Sequence, residues 1–174
     1  MTENTKGYTN PQLLIDPAEL AGRLGVGPAS AERPGLSAQP LVVLDLRPAE
    51  AFAAGHIPGA FHLDLFGVSL IDTDSAPLDA FLWMIGHVIA SRGASADRPV
   101  IVYDDHSGMR AARAFWFLKF FDHPDARLLD GGFTAWQREG QPVATVALAP
   151  TNSDWAVGRV DKWLATWRVV RDRI

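Results

Sequence analysis

Short apolar runs that alternate with helix-like segments constrain the fold of this chain more than any other feature. The runs are LVVLDL (41–46), AFHLDL (60–65), PVIVY (99–103) and ARLLD (126–130). LVVLDL and PVIVY are almost continuously apolar, which is typical of strands buried on both faces. Strands that alternate with helices require a mainly parallel sheet that is covered by helices on both faces. The chain is therefore predicted to be an α/β protein.

Two of the intervening helices have clear sequence signals. DPAELAGRLG has Asp16 as a predicted N-cap, Glu19 three residues later and Gly25 as a stop. A longer helix is predicted from about Pro77 to Ser91, because five apolar residues share one helical face: Leu78, Phe81, Leu82, Ile85 and Ile89. Between the first helix and the first apolar run, VGPASAERPGLSAQP (26–40) is predicted to be a flexible loop.

Composition narrows the class of protein. The chain has 174 residues, 48% of them hydrophobic, which is enough for one domain with a real core. A formal charge of −4 argues against binding to a nucleic acid. No apolar stretch reaches the roughly 18 residues of a membrane-spanning helix, and the polar N-terminus does not resemble a signal peptide, so a cytoplasmic location is expected. The sequence contains no cysteine, which excludes disulfides, thiolate metal sites and cysteine nucleophiles.

The segment YDDHSGMRAAR (103–113) predicts a loop between a strand and a helix. Such a loop points backbone N–H groups, and the positive end of a helix dipole, at an anion. Yet its mouth holds Asp104 and Asp105, which are themselves anions. We expect Asp105 to cap the loop by accepting these N–H groups, which would make the loop a structural turn.

Three segments together resemble a rhodanese homology domain. They are LDLRPAEAFAAGHIPGAFHLDL (44–65), VIVYDDHSGMRAARAFWFLKFF (100–121) and LLDGGFTAWQREGQPV (128–143). The resemblance implies a five-stranded, mainly parallel sheet with helices on both faces, and sulfur transfer through a cysteine persulfide. We divide the chain into an N-terminal helix and loop (1–40), the domain (41–145), and a linker with an amphipathic helix (146–174).

The active loop of the family commonly reads Cys-Arg-x-Gly-x-Arg or Cys-Gly-x-Gly-x-Thr, and DHSGMR aligns with it with Ser107, Gly108 and Arg110 in register. Asp105 then stands at the cysteine position, and His106 replaces the usual arginine or glycine. A carboxylate cannot take up sulfane sulfur and pass it on, so the chain alone is not expected to be a sulfurtransferase. IVYDDHSGMRAARAFWFL further resembles the amino-terminal, non-catalytic domain of tandem thiosulfate and 3-mercaptopyruvate sulfurtransferases. The alternatives are a stand-alone anion-binding module and an enzyme that uses Asp105 or Arg110.

The resemblance and the residue types define the candidate residues. No residue is assigned as catalytic, and neither a metal nor a cofactor is predicted. The candidates for an anion loop are Asp105, His106, Ser107, Gly108, Met109 and Arg110. Arg110 and Arg113 are candidates to hold an anion, but we prefer a pairing of Arg110 with Asp104 or Asp105. His106 beside two aspartates is interpreted as part of a solvated loop, because one turn rarely directs three metal ligands.

The family-typical residues with a structural role are Asp45, Arg47, His56, Gly131, Gly132 and Trp136. Arg47 is expected to pair with Glu50 or another nearby carboxylate, and His56 to hold its turn through its ring nitrogens. Near the C-terminus, Val160, Trp163, Leu164, Trp167 and Val170 are spaced as one face of a helix. We expect this helix to contact a second, catalytic rhodanese domain or another copy of the chain.

Overall fold

The computed structural model describes residues 7–27, 41–106 and 108–174. Most of the predicted flexible loop, and the anion-loop candidate Ser107, lie outside the described residues. The five strands are β1 (Leu14–Ile15), β2 (Val42–Asp45), β3 (Phe61–His62), β4 (Val100–Tyr103) and β5 (Ala126–Leu129). They form one sheet in the order β1-β5-β4-β2-β3, and every neighbouring pair is parallel. The predicted α/β fold with a five-stranded sheet is confirmed.

The edge strand β1 has no counterpart among the predicted strands. It contains only two residues, which pair with Leu128 and Leu129 of β5. Two residues are too few to show a periodic pattern, so sequence alone could not identify this strand. The N-terminal segment thus contributes to the sheet, and a division of the chain at residue 41 does not coincide with an edge of the fold.

The helices are α1 (Pro17–Leu24), α2 (Ala49–Ala54), α3 (Ser75–Ala90), α4 (Met109–Phe120), α5 (Gly132–Arg138) and α6 (Trp167–Arg171). Helix α1 begins as its sequence predicts, because the backbone N–H of Glu19 donates to the Asp16 carboxylate at 2.7 Å. It ends at Gly25, whose φ of 66° lies in the left-handed region. Helix α3 begins two residues earlier than predicted.

Two apolar cores lie on opposite faces of the sheet. Val42, Leu44, Val100 and Val102 contribute to the core that is shared with α3 and α4. Val43, Ile101 and Tyr103 contribute to the other core, which is shared with α1, α2 and α5. Successive strand residues therefore point to alternate faces, as in any β-strand. The same alternation continues into the loops that follow β2 and β4.

The C-terminal segment, defined here as residues 153–171, does not contain the predicted long helix. It has a short 3-10 helix, Asp161–Trp163, and the five-residue helix α6. The prediction is wrong because the backbone is extended at Leu164 and Thr166, which separates the two short helices. Before them, the segment bonds to the last residue of α4 and to the residue that follows it. The N–H of Gly158 donates to the carbonyl of Phe121 at 3.1 Å, and that of Val160 donates to Phe120 at 2.8 Å. Trp155 and Val157 are partly buried against the core on this face.

Among the helices of the described ranges, none is both long enough and apolar enough to cross a membrane.

Candidate functional site

The loop of residues 104–108 joins β4, the central strand of the sheet, to the start of α4. In parallel α/β sheets, ligands bind outside the carboxyl ends of the strands, and this loop lies at such an end. The ends of β2 and β3 are next to it in the sheet. The candidate site is therefore built from the residues that follow β2, β3 and β4.

Asp104 occupies the interior of the loop. One carboxylate oxygen, Oδ1, accepts the backbone N–H groups of His106 at 3.0 Å and Gly108 at 2.8 Å. The other, Oδ2, accepts the N–H of Ala111 in the first turn of α4 at 3.1 Å. The residue is only 6% exposed. A buried carboxylate thus satisfies donors of the loop and of the helix start.

The prediction that Asp105 caps the loop is wrong, because Asp104 has that role. Tyr103 points into the core below α5, so strand alternation turns the next side chain, that of Asp104, toward α4. The side chain of Asp105 is 57% exposed, and one oxygen lies 3.7 Å from Nη1 of Arg47. Within the part of the chain that the structure describes, no backbone N–H donates to the Asp105 carboxylate.

The backbone of the loop is held by the start of α5. The carbonyls of Asp104 and Asp105 accept the N–H groups of Phe133 at 2.8 Å and Thr134 at 3.0 Å. A Cβ atom at Gly132 would lie 2.4 Å from the Asp104 carbonyl oxygen, and its φ is +59°. Glycine is therefore required at this position by both the backbone angle and the close approach.

A buried polar cluster, made of Asp45, Arg47 and Tyr103, lies beneath the loop. Arg47 donates through Nη2 to Asp45 Oδ2 at 2.7 Å and through Nε to Oδ1 at 3.0 Å. The Tyr103 hydroxyl donates to the same carboxylate at 2.5 Å. Asp45 and Tyr103 are register partners at the ends of β2 and β4, so the sheet itself sets their distance. The carboxylate partner of Arg47 is thus Asp45, two residues before it.

The pKa values in this cluster are shifted by burial and by the Asp45 charge. Burial alone would lower the pKa of Arg47, but the hydrogen bonds and the negative charge of Asp45 reverse that effect and raise it. Burial, followed by the charge of Asp45, raises the pKa of Tyr103 well above its usual value. Arg47 also donates to the carbonyl of Gly55 at 2.6 Å. Arg47 and Tyr103 consequently both keep their protons at neutral pH.

His56 and Trp136 lie away from the loop. The Nδ1 atom of His56 is 2.9 Å from the carbonyl oxygen of Phe52, and its ring stacks on the Phe52 ring at 3.9 Å. The fully buried Trp136 donates through Nε1 to the carbonyl of Pro142 at 2.8 Å. These contacts hold the segments that follow α2 and α5.

The arginines of α4 point toward the segment that follows β3. Nη1 of Arg110 donates to Asp64 at 2.8 Å, and its guanidinium lies over the ring of Phe66 at 4.2 Å. The expected pairing of Arg110 with Asp104 or Asp105 is therefore wrong. Asp64 is 46 residues away in sequence, so only the pairing of β2 with both β3 and β4 brings it near α4.

The other loop candidates have varied surroundings. Nε2 of His106 lies 3.3 Å from the hydroxyl oxygen of Thr134, and both side chains are exposed. Met109 is 71% exposed at the first turn of α4. Sequence reasoning missed Asp104, which strand alternation could have identified. It also missed Asp64, for which the sequence carries no local signal.

Comparison with known proteins identifies the family. Residues 32–139 match the family model described as "Rhodanese-like domain". The chain is 30% identical over 155 residues to a thiosulfate sulfurtransferase of Azotobacter vinelandii, and the match covers 89% of this chain and 53% of the relative. A thiosulfate sulfurtransferase of Gallus gallus is 32% identical over 155 residues, with 86% and 50% covered.

A solved structure shows the same fold. The 3-mercaptopyruvate sulfotransferase SseA from Escherichia coli superimposes with a TM-score of 0.67 at 20% identity, over 91% of this chain and 60% of that chain. This chain spans about half the length of the two thiosulfate sulfurtransferases that it matches. The family model matches well over half of the chain, and the parallel sheet agrees with it. The chain therefore belongs to the family of rhodanese-like domains.

Proposed function

We propose that this chain is a non-catalytic rhodanese domain, the structural or regulatory half of a sulfurtransferase that acts on thiosulfate or 3-mercaptopyruvate. One observation carries the proposal: in a sequence without cysteine, the carboxylate of Asp104 occupies the N–H groups of the loop. In a catalytic rhodanese domain, such N–H groups would stabilise a thiolate. Here an internal anion already satisfies them.

The chemistry of the loop supports the same conclusion. Sulfur transfer requires a nucleophile that carries the sulfane sulfur from donor to acceptor. Asp105, at the position of the family's cysteine, is an exposed carboxylate near Arg47. The adjacent arginine is always protonated and does not act as a base. Asp105 and Arg110 have separate partners, Arg47 and Asp64, so the geometry does not favour an enzyme that uses them together.

The partner in this proposal is a second, catalytic rhodanese domain. The chain matches only about half of each sulfurtransferase relative. The sequence resemblance of its loop to the amino-terminal domain of tandem enzymes supports the same partner. Trp163 and Trp167 are about half exposed on the C-terminal segment. Exposed tryptophans are frequent anchors of interfaces, so we expect them to face the second domain or another copy of the chain. Light scattering on the purified chain would detect association between two copies of the chain.

A sulfurtransferase assay with thiosulfate and cyanide tests the proposal. The purified chain should produce thiocyanate no faster than buffer. Turnover that survives repurification would show that the domain is catalytic. In a second experiment, this chain replaces the matched segment of the Azotobacter vinelandii relative. The chimera should be active, and changing the cysteines outside this chain to serine should abolish its activity. A folded but inactive chimera would argue against the partnership.

A further inference from the structure

A cavity of about 200 Å³ lies beside the loop, between the end of β2, the segment that follows β3 and the start of α4. Leu46 and Leu65 are buried and form its apolar floor, while Phe66 and Met109 are 57% and 71% exposed at its mouth. Large exposed apolar side chains grouped around a cavity are characteristic of binding sites. The remaining lining residues are Arg110 and Arg113.

Arg113 gives the cavity a positive charge. Its guanidinium donates from Nη1 to the carbonyl of Leu65 at 2.7 Å and from Nη2 to the carbonyl of Val68. These carbonyls accept its hydrogen bonds but carry no net charge. Among the described residues, no carboxylate lies within ion-pair distance of Arg113. Arg110, by contrast, is paired with Asp64 at 2.8 Å.

The cavity is distinct from the interior of the loop. The loop N–H groups donate to Asp104, which does not line the cavity. An anion in the cavity would therefore meet the side chain of Arg113, and would not have to displace Asp104. The volume of the cavity is below the roughly 300–1,000 Å³ of sites for drug-sized molecules, so the ligand has to be small.

We propose that this cavity binds a small organic monoanion, a carboxylate with a compact aliphatic or aromatic body. The carboxylate contacts Arg113, because its charge is uncompensated and a guanidinium binds planar carboxylates well. The body lies on Leu46 and Leu65, with Phe66 and Met109 at the entrance. This inference does not depend on a partner domain or on sulfur transfer, so either proposal can fail without the other.

Titration of the ¹⁵N-labelled chain with benzoate, followed by NMR, tests the site. The amide signals of Phe66, Met109 and Arg113 should shift and saturate. Benzyl alcohol has the same ring but no charge to contact Arg113, so it should bind at least about tenfold more weakly than benzoate. Sulfate, which has charge without an apolar body, should not saturate these signals. Equal binding of benzoate and benzyl alcohol, or no saturable shift with benzoate, would overturn the proposal.

Two pairs of variants locate the site. Met109→Glu places a negative charge at the mouth, and Met84→Glu places the same charge on α3, away from the cavity lining. Arg113→Gln removes the cavity charge but retains an amide donor, and Arg171→Gln removes a charge from α6. Met109→Glu and Arg113→Gln should each weaken benzoate binding at least about tenfold, and the two controls should leave it unchanged.

Met109→Glu decides the question if Arg113→Gln does not fold. The side chain of Met109 is largely exposed, so this substitution removes little packing. Benzoate binding that is unchanged in a folded Met109→Glu variant would overturn the assignment to this cavity. Equal weakening by Met84→Glu would have the same consequence, because the effect would then reflect overall charge.

Discussion

Two aspartates that precede long helices differ in what they bind and in how deeply they lie. Asp104, before α4, is buried and accepts three backbone N–H groups. Asp74, at the N-cap position of α3, makes no side-chain bond to its own helix. Its exposed carboxylate instead accepts from Nε1 of Trp167 at 3.1 Å and from Nη2 of Arg168 at 2.9 Å.

An aspartate can therefore be a buried part of the fold, like Asp104, or an exposed partner that holds one surface segment to another, like Asp74. Asp45 is buried together with Arg47 and Tyr103. The buried Asp104 accepts one buried N–H group and two partly buried ones, so loss of a partner leaves a buried group unsatisfied in either case. On the C-terminal segment, water can replace a lost partner, and the pairs are screened. Stability should therefore be far more sensitive to changes around the loop than to changes in the C-terminal segment.

The largest effect is expected from Arg47→Met, which leaves the buried Asp45 carboxylate without its ion-pair partner. Breaking a buried pair in this way typically costs about 3–5 kcal/mol of unfolding free energy. The matched substitution on the C-terminal segment, Arg168→Met, removes an exposed ion pair and should change stability little. Urea denaturation of both variants measures the difference. Similar losses from the two substitutions would contradict the comparison.

Asp104→Ala should reduce stability more than Asp105→Ala, although the two residues are adjacent. Asp104→Ala leaves the buried N–H of Ala111 and two partly buried loop N–H groups without an acceptor and should cost about 1–3 kcal/mol. Asp105→Ala changes an exposed side chain and should stay within about 0.5 kcal/mol of the parent. Thermal and urea unfolding of both variants test this order. A larger loss of stability for Asp105→Ala than for Asp104→Ala would show that Asp105 caps the loop.

His123 links stability to pH beneath the C-terminal segment, where its ring meets the edge of Trp155 at 5.2 Å. Burial lowers the pKa of His123, although its hydrogen bond to the Ser95 carbonyl and the charge of Asp125 oppose this, and Lys119 adds to it. The folded state thus binds a proton less readily than the unfolded state. The stability from neutral His123 is present above the unfolded pKa of about 6.5 and is lost as the pH falls.

His123→Gln should therefore lose less stability than the parent between pH 7.5 and pH 5.5. Melting temperatures at the two pH values give the comparison, with His87→Gln on the surface of α3 as the control. If the parent and His123→Gln lose the same stability on acidification, His123 is not the group responsible.

The smallest effect on global stability is expected from Asp74→Ala. Hydrogen bonds from Arg168 and Trp167 lower the pKa of Asp74. The small contribution of the ionised Asp74 to stability is therefore lost as the pH falls through its lowered pKa. The variant should leave the melting temperature nearly unchanged but make Trp167 more accessible to acrylamide. Trp167→Phe identifies the fluorescence signal that changes. A large drop in melting temperature would mean that α6 belongs to the cooperative core.

The sequence determined much of the fold through periodicity. The runs around β2, β4 and β5 and the apolar face of α3 are local patterns, and each forms the predicted element. The Asp16 cap and the stop at Gly25 are equally local. By contrast, β1 is too short to show a pattern, and the C-terminal segment has a helical spacing that its backbone does not follow. Extended backbone at Leu164 and Thr166 interrupts the helix that this spacing predicts.

Some features of the candidate site are also visible in the sequence, and others depend on the tertiary structure. The absence of cysteine and the acidic loop could be read from the sequence, and they already limit the chemistry. Which aspartate fills the loop was decided by the direction of side chains at the end of β4. The pairing of Arg110 with Asp64 and the cavity beside Arg113 arise because parallel strands place β2, β3 and β4 side by side. Contacts between residues so distant in sequence depend on the assembled sheet, so only the tertiary structure could decide them.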